Sequence, residues 1–98
     1  MKEQFFHGSA VSIEGPLRKA SYVSRSRCNA LIFAQRRRED VSYIYTLLLG
    51  PAVDVERHEE AGGLVDHKLA RDTPFSERNL VTPQLIEECK ESIPKGFS

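Results

Sequence analysis

Hydrophobic and polar positions alternate over short distances in this chain, and glycine, proline or serine separates most of the segments. Residues 4–7 form a brief aromatic stretch that predicts a strand, and the Gly8-Ser9 pair predicts the turn that ends it. Residues 11–18 predict a loop because they contain Gly15-Pro16, and residues 20–24 predict a second short strand.

An amphipathic helix is predicted next. Ser24 or Ser26 supplies a side-chain oxygen able to cap its first turn. The apolar stripe at helical spacing, with the residues that widen it, comprises Cys28, Ala30, Leu31, Ile32, Phe33, Ala34 and Gln35. Three arginines at 36–38 end the helix, where cations suit the helix dipole.

The clearest strand covers residues 42–49, a run of aromatic and aliphatic residues stopped by Gly50-Pro51. We expect it to lie centrally in a sheet and to be prolonged, after a bend, by residues 52–55. Residues 56–63 are charged and end in two glycines, which predicts an exposed loop.

The pattern in the last third of the chain is weaker. Residues 64–76 show no clear periodicity, and residues 79–82 predict a last strand that Pro83 closes. Residues 84–92 suit either a short helix or an extended edge. Strands and helices without regular βαβ alternation predict an α+β fold, and 98 residues predict one domain, 1–98.

The charge balance excludes a global electrostatic field. Fourteen basic and 14 acidic residues give a net charge of zero, so the chain has no overall attraction for nucleic acid or anionic lipid. The arginines at 36–38 motivate a third, weaker hypothesis of nucleic-acid binding, although Glu39-Asp40 directly after them favour a solvated helix end. No long apolar run predicts a membrane span, and we expect a cytoplasmic protein.

Two cysteines and three histidines are candidates for special chemistry. Cys28 and Cys89 allow one disulfide, but isolated cysteines without a CxxC spacing or secretory context favour reduced thiols. His58 and His67 each have acidic neighbours in the sequence, yet their spacing matches no metal-binding pattern, and we expect no metal site.

Residues 5–9, Phe-Phe-His-Gly-Ser, resemble the first-strand signature of the ADP-ribosyltransferase superfamily, an aromatic residue followed by His-Gly-Thr or His-Gly-Ser. Residues 19–24 and the helix with Ala30, Phe33 and Ala34 are similar to that family's tyrosine-bearing strand, polar turn and alanine-rich helix. Residues 43–47 are similar to the central strand of small rifampin-modifying, phage and toxin members. The resemblance covers most of the chain and implies a compact split mixed or antiparallel β-sheet with few helices.

The resemblance also implies that the chain binds NAD as a substrate. In that family the motif histidine binds the adenine-side ribose, the next glycine offers its backbone to the nicotinamide carboxamide, and the tyrosine stacks on the nicotinamide ring. These roles fall on His7, Gly8 and Tyr22. Ser9 adds a hydroxyl, and Arg18 or Lys19 is a cation suited to the pyrophosphate.

The resemblance also implies a catalytic carboxylate, for which this sequence offers three candidates. Cleavage of NAD leaves an oxocarbenium-like ribose, which negative charge stabilises. We rank Glu77 first, Asp66 second and Asp72 third as the catalytic carboxylate. Glu77 lies one position early relative to the family's late strand. Tyr22 belongs with the catalytic residues as the group that orients the nicotinamide.

The predicted function is mono-ADP-ribosylation of a protein, nucleic acid or small molecule, with a host macromolecule as the expected partner. The alternative is a non-catalytic binding module on a transferase-like fold.

Overall fold

The computed structural model describes residues 1–35, 40–59 and 65–91. In these ranges the elements are β1 (Glu3–Ser9), β2 (Tyr22–Val23), α1 (Arg27–Ala34), β3 (Tyr43–Leu49), β4 (Val55–Glu59), β5 (Val65–Leu69), β6 (Glu77–Leu80) and α2 (Pro83–Glu88). The strands form two three-stranded sheets, sheet 1 in the order β1-β3-β6 and sheet 2 in the order β2-β5-β4, and every pairing described is antiparallel. The predicted α+β class is confirmed.

A short backbone bridge joins the two sheets. The Phe6 amide donates to the Ser24 carbonyl over 2.7 Å, and the Ser24 amide donates to the Phe6 carbonyl over 2.9 Å. Because Ser24 directly follows β2, sheet 2 continues from the free edge of β1. The long apolar strand β3 lies in the middle of sheet 1, as its sequence predicts.

The larger hydrophobic core fills the space between the two sheets. Its buried members are Phe5, Leu17, Val23, Tyr45, Leu47, Leu49, Val55 and Leu69. The buried Tyr45 hydroxyl accepts a hydrogen bond from the Ile13 amide and donates one to the Val11 carbonyl, both over 2.7 Å. This side chain therefore fixes the loop after β1 to the centre of the core.

A second core forms where α1 packs on the other face of sheet 1. Its buried members are Ala30, Leu31, Ala34, Ile44 and Cys89. The helix begins as predicted, because the Ser26 hydroxyl accepts the Asn29 amide over 3.3 Å. Gly8 makes the close approach possible, since a Cβ at this position would lie 1.8 Å from the Ala30 carbonyl oxygen.

Several predicted boundaries are wrong. β1 runs through Gly8 and Ser9 instead of turning there, because both residues pair with β3. Residues 51–54 form a turn, not a continued strand, and the Asp54 carboxylate accepts the Gly50 amide over 2.7 Å.

The segment predicted as an exposed loop, 56–63, contributes most of β4, and the patternless segment after it contributes β5. The two strands are held by pairing with each other and, through β5, with β2. Residues 60–63 lie outside the described ranges, as do the arginines at 36–38. The last helix, α2, takes the helical alternative, with the Thr82 hydroxyl accepting the Leu85 amide and Pro83 in its first turn.

The expectation of reduced thiols is wrong in this structure, because Cys28 and Cys89 form a disulfide with a Cα–Cα distance of 5.3 Å. The two residues are 61 positions apart in sequence. A chain-entropy treatment assigns a loop of that length about 4 kcal/mol of stabilisation. Neither α1 nor α2, the helices of the described ranges, has the length and apolar character needed to cross a bilayer.

Candidate functional site

A cavity of about 260 Å³ lies beside the carboxyl end of β1. The residues that line it are His7, Gly8, Ser9, Ala10, Val11, Tyr22 and Phe33. Four of these residues, His7, Gly8, Ser9 and Tyr22, are ones that the family resemblance singles out. We call this space the motif cavity.

The side chain of His7 is held in one orientation and one tautomer. Its Nδ1 lies 2.6 Å from the Tyr22 carbonyl oxygen, which can only accept, so Nδ1 carries the proton. The neutral ring therefore keeps its lone pair on Nε2. Burial lowers the pKa of His7 from 6.5, and the hydrogen bond to the Tyr22 carbonyl offsets part of that effect. His7 is consequently neutral near pH 7.

The Gly8 backbone is turned toward the tyrosine side of β1. Phe6 directs its amide and carbonyl to Ser24 of the neighbouring segment, and hydrogen-bonding directions alternate along an antiparallel strand. Gly8, two residues later, points its amide and carbonyl to the same side, away from β3. Tyr22 lies on that side, two residues before Ser24.

Tyr22 and Phe33 together form the aromatic part of the motif cavity. Their ring centroids are 5.9 Å apart and their planes differ by 15°. Phe33 comes from α1; the sequence predicts it as a residue that widens the buried stripe of that helix, and the family resemblance assigns it no role in binding. Phe33 reaches the cavity because α1, the helix that carries it, packs against Gly8.

The other predicted ligand residues lie elsewhere. The Lys19 amide donates to the Asp72 carboxylate over 2.7 Å, next to the bridge between Leu17 and Thr73. Arg18, Lys19 and Asp72 are exposed, and none of them lines the motif cavity. Ser9 does line the cavity, and its hydroxyl accepts the Val11 amide over 3.0 Å. The predicted pyrophosphate contact is therefore not brought to the cavity in this structure.

Glu77 lies on the opposite face of sheet 1 from His7. His7 is paired with Tyr45 and Glu77 is paired with Thr46, and neighbouring residues of a strand project to opposite faces. Glu77 is exposed, and its carboxylate accepts the Asn79 side-chain amide over 3.3 Å. The one-residue offset seen in the sequence thus separates the first-ranked carboxylate from the motif cavity.

Glu77 instead lines a wider groove of about 790 Å³ on the helix side of sheet 1. Residues of β1, β3, β6, α1 and α2 contribute to this groove, which we call the helix-side groove. Its lining includes two carboxylates, Glu77 and Glu88, one cation, Arg27, and the exposed Leu48 and Leu80.

The backbone of Asp66 lies in β5, opposite His58, two residues before the Lys68 that pairs with Tyr22. Its side chain lies outside the described part of the chain. Among the described residues that line the motif cavity, none carries a carboxylate. Within the described ranges, no three His, Cys, Asp or Glu side chains gather in a metal-binding arrangement.

Comparison with known proteins adds no relative: the chain matches no family model, no curated protein and no solved structure.

Proposed function

We propose that this chain binds NAD, with the nicotinamide end in the motif cavity, and that it transfers ADP-ribose from NAD to an acceptor. The observation that carries the proposal is the convergence of His7, Gly8, Ser9 and Tyr22 on one cavity. These residues lie up to 15 positions apart in sequence, and the pairing of the chain around Phe6 and Ser24 draws them together.

The proposed nicotinamide contacts follow from the chemistry of the ring and its carboxamide. The ring is flat and apolar on its faces, which suits stacking on Tyr22 with Phe33 holding that tyrosine in orientation. The carboxamide offers one acceptor and two donors, which match the amide and carbonyl of Gly8. A cavity of about 260 Å³ suits the nicotinamide end of the ligand and not the whole dinucleotide.

His7 suits a ribose hydroxyl. With Nδ1 committed to the Tyr22 carbonyl, the lone pair on Nε2 accepts a hydrogen bond from a hydroxyl. The lowered pKa keeps this acceptor available at neutral pH. Protonation would turn Nε2 into a donor, so we expect the affinity for NAD to weaken in mild acid.

For the transfer step we propose Asp66 in place of Glu77. Its strand pairs with the strand of Tyr22, whereas Glu77 lies on the other face of sheet 1. A carboxylate near the ribose would stabilise the positive charge that develops as nicotinamide leaves. The acceptor, which we expect to be a host macromolecule, would then attack the ribose.

The location of Glu77 favours a second candidate function, a non-catalytic module that binds a partner on a transferase-like fold. In that case the motif cavity holds NAD without cleaving it, or holds no nucleotide.

The disulfide is relevant to the cellular compartment, because stable disulfides are uncommon in the cytoplasm outside redox-responsive proteins. Residence in the cytoplasm stays a prediction.

The experiment is a titration of the purified protein with NAD, by calorimetry for binding and by one-dimensional NMR for released nicotinamide. We expect Tyr22→Ala to weaken binding by about 5-fold to 150-fold, from roughly 1–3 kcal/mol for a stacked heteroaromatic ring. Tyr22→Phe keeps the ring and is the matched control, with near wild-type affinity. Wild-type affinity in Tyr22→Ala would refute the stacking role.

Turnover separates the two candidate functions. We expect Asp66→Asn to abolish most nicotinamide release while sparing NAD binding, because a transition-state contact acts on the rate. Glu77→Gln, the carboxylate control on the other face of sheet 1, should leave release unchanged. If the wild type binds NAD but releases no nicotinamide when lysate is supplied as acceptor, the result supports the non-catalytic module. Absence of both binding and release would exclude the transferase and a module that holds NAD.

A further inference from the structure

The Cys28–Cys89 disulfide links α1 to α2, two helices that differ in how firmly they are packed. Cys28 lies in the first turn of α1, and Cys89 is the residue that ends α2. Cys89 is 1% exposed and belongs to the core beneath α1, whereas Cys28 is half-buried. The disulfide therefore joins a fixed helix to the end of the last described element.

Noncovalent contacts hold α2 weakly. The helix has six residues and none of them is buried; Leu85 and Ile86 are only partly covered by the second core. A helix of this length is not stable in isolation, because nucleation costs more than so few hydrogen bonds return. The position of α2 thus depends strongly on the bond at its end.

We propose that the Cys28–Cys89 disulfide is a redox latch, which holds α2 on sheet 1 when oxidised and releases it when a thiol reductant opens the bond. α2 and its cap supply one wall of the helix-side groove through Thr82, Gln84, Leu85 and Glu88. Release of α2 removes this wall and uncovers the helix face of sheet 1 around Ile44.

The chemistry is thiol–disulfide exchange with a dithiol. One thiolate of the reductant attacks the sulfur of Cys28, the less buried of the two residues, and the Cys89 thiolate leaves. The second thiol of the reductant then attacks the mixed disulfide and displaces the Cys28 thiolate. Two electrons pass to the cysteines, the reductant becomes a disulfide, and its two protons go to the cysteine thiolates or to solvent.

The site of Cys28 favours this reaction. A thiolate in the first turn of a helix is stabilised by the unpaired amides of that turn, and Cys28 lies in the first turn of α1. A stabilised thiolate is the better leaving group in the second step. Stabilising the reduced form also makes the disulfide easier to reduce.

The test is a pair of NMR spectra of the full chain, oxidised and after treatment with dithiothreitol. We expect the amide and Cα shifts of residues 83–88 to move to random-coil values on reduction, while those of β1 and β3 stay native. The Cys28→Ser and Cys89→Ser double variant should give the reduced spectrum without reductant. Thr82→Ala is the matched control, because it weakens the cap of α2 but leaves the latch closed.

Alkylation of the reduced wild type gives a second readout. Cys28 and Cys89 should react with iodoacetamide at similar rates if α2 is released, whereas a docked α2 would slow Cys89 by about tenfold or more. Unchanged α2 shifts with a protected Cys89 would overturn the latch, as would loss of all native shifts on reduction. Two free thiols in the protein purified without reductant would overturn it too.

Discussion

Gly8 offers the sharpest test of the packing described above, because the space at its Cα is defined by backbone atoms. A methyl group there would lie 1.8 Å from the Ala30 carbonyl oxygen and 2.8 Å from the Ala34 amide nitrogen. Neither atom can rotate away, since both belong to α1. Helix α1 would have to retreat by more than one ångström.

We therefore expect Gly8→Ala to cost about 3 kcal/mol, the upper part of the range for overpacked sites. For a domain of this size that lowers the melting temperature by about 12–24 °C. Circular dichroism during thermal and urea unfolding measures the change. Gly50→Ala is the control: its Cβ would meet its nearest neighbour, the Asp54 carboxylate, at 3.4 Å, an ordinary contact.

A melting temperature for Gly8→Ala within a few degrees of that of Gly50→Ala would refute the reasoning. The result also limits how the proposed function is tested. Since Gly8 is needed for the packing of α1 on β1, a loss of NAD binding in Gly8→Ala would not show that its backbone contacts the ligand. Tyr22→Ala and Asp66→Asn serve that purpose better.

Two further predictions concern polar groups in the core and the histidines. Tyr45→Phe removes both hydrogen bonds of a buried hydroxyl, and urea unfolding should show a loss of about 1–3 kcal/mol; an unchanged midpoint would mean that the loop does not depend on them. Burial lowers the pKa of His7 and of His67 from 6.5, and the charges of Arg25 and Arg57 lower that of His67 further. Below pH 6.5 these histidines therefore bind protons more readily in the unfolded chain than in the folded one. The free energy of unfolding should be highest above pH 6.5 and should fall as the pH drops through the folded-state pKa values of the two histidines. This decrease should be smaller in a His7→Gln, His67→Gln double variant. Equal urea midpoints at pH 7.5 and pH 5 in the wild type would contradict the prediction.

The elements with strong local signals were predictable. β3 is a run of aromatic and aliphatic residues long enough for a central strand, and α1 has both an apolar stripe and a serine cap at Ser26. β4 and β5 were not predictable. Among the side chains of these strands that the structure describes, Val55 and Leu69 belong to the larger core. Most of the other positions in the two strands are charged residues or histidine, which gives a pattern typical of a loop.

The candidate site was predictable only in part. The His-Gly-Ser motif and Tyr22 could be singled out by resemblance, and the structure places them on one cavity. The place of Phe33 at the cavity depends on how α1 packs on β1, and the displacement of Glu77 depends on the register of β6 against β3; local sequence determines neither. The disulfide depends on a separation of 5.3 Å between residues in distant segments, which no spacing rule reveals.

The two sheets draw their strands from interleaved parts of the chain. Sheet 1 uses the first, third and sixth strands, and sheet 2 uses the second, fourth and fifth. Sheet 1 is thus incomplete until residues 77–80 are available, and no cut leaves two fragments that each hold a whole sheet. Such long-range pairing raises the contact order, so we expect folding over milliseconds to seconds, completed only after residues 77–80 have left the ribosome.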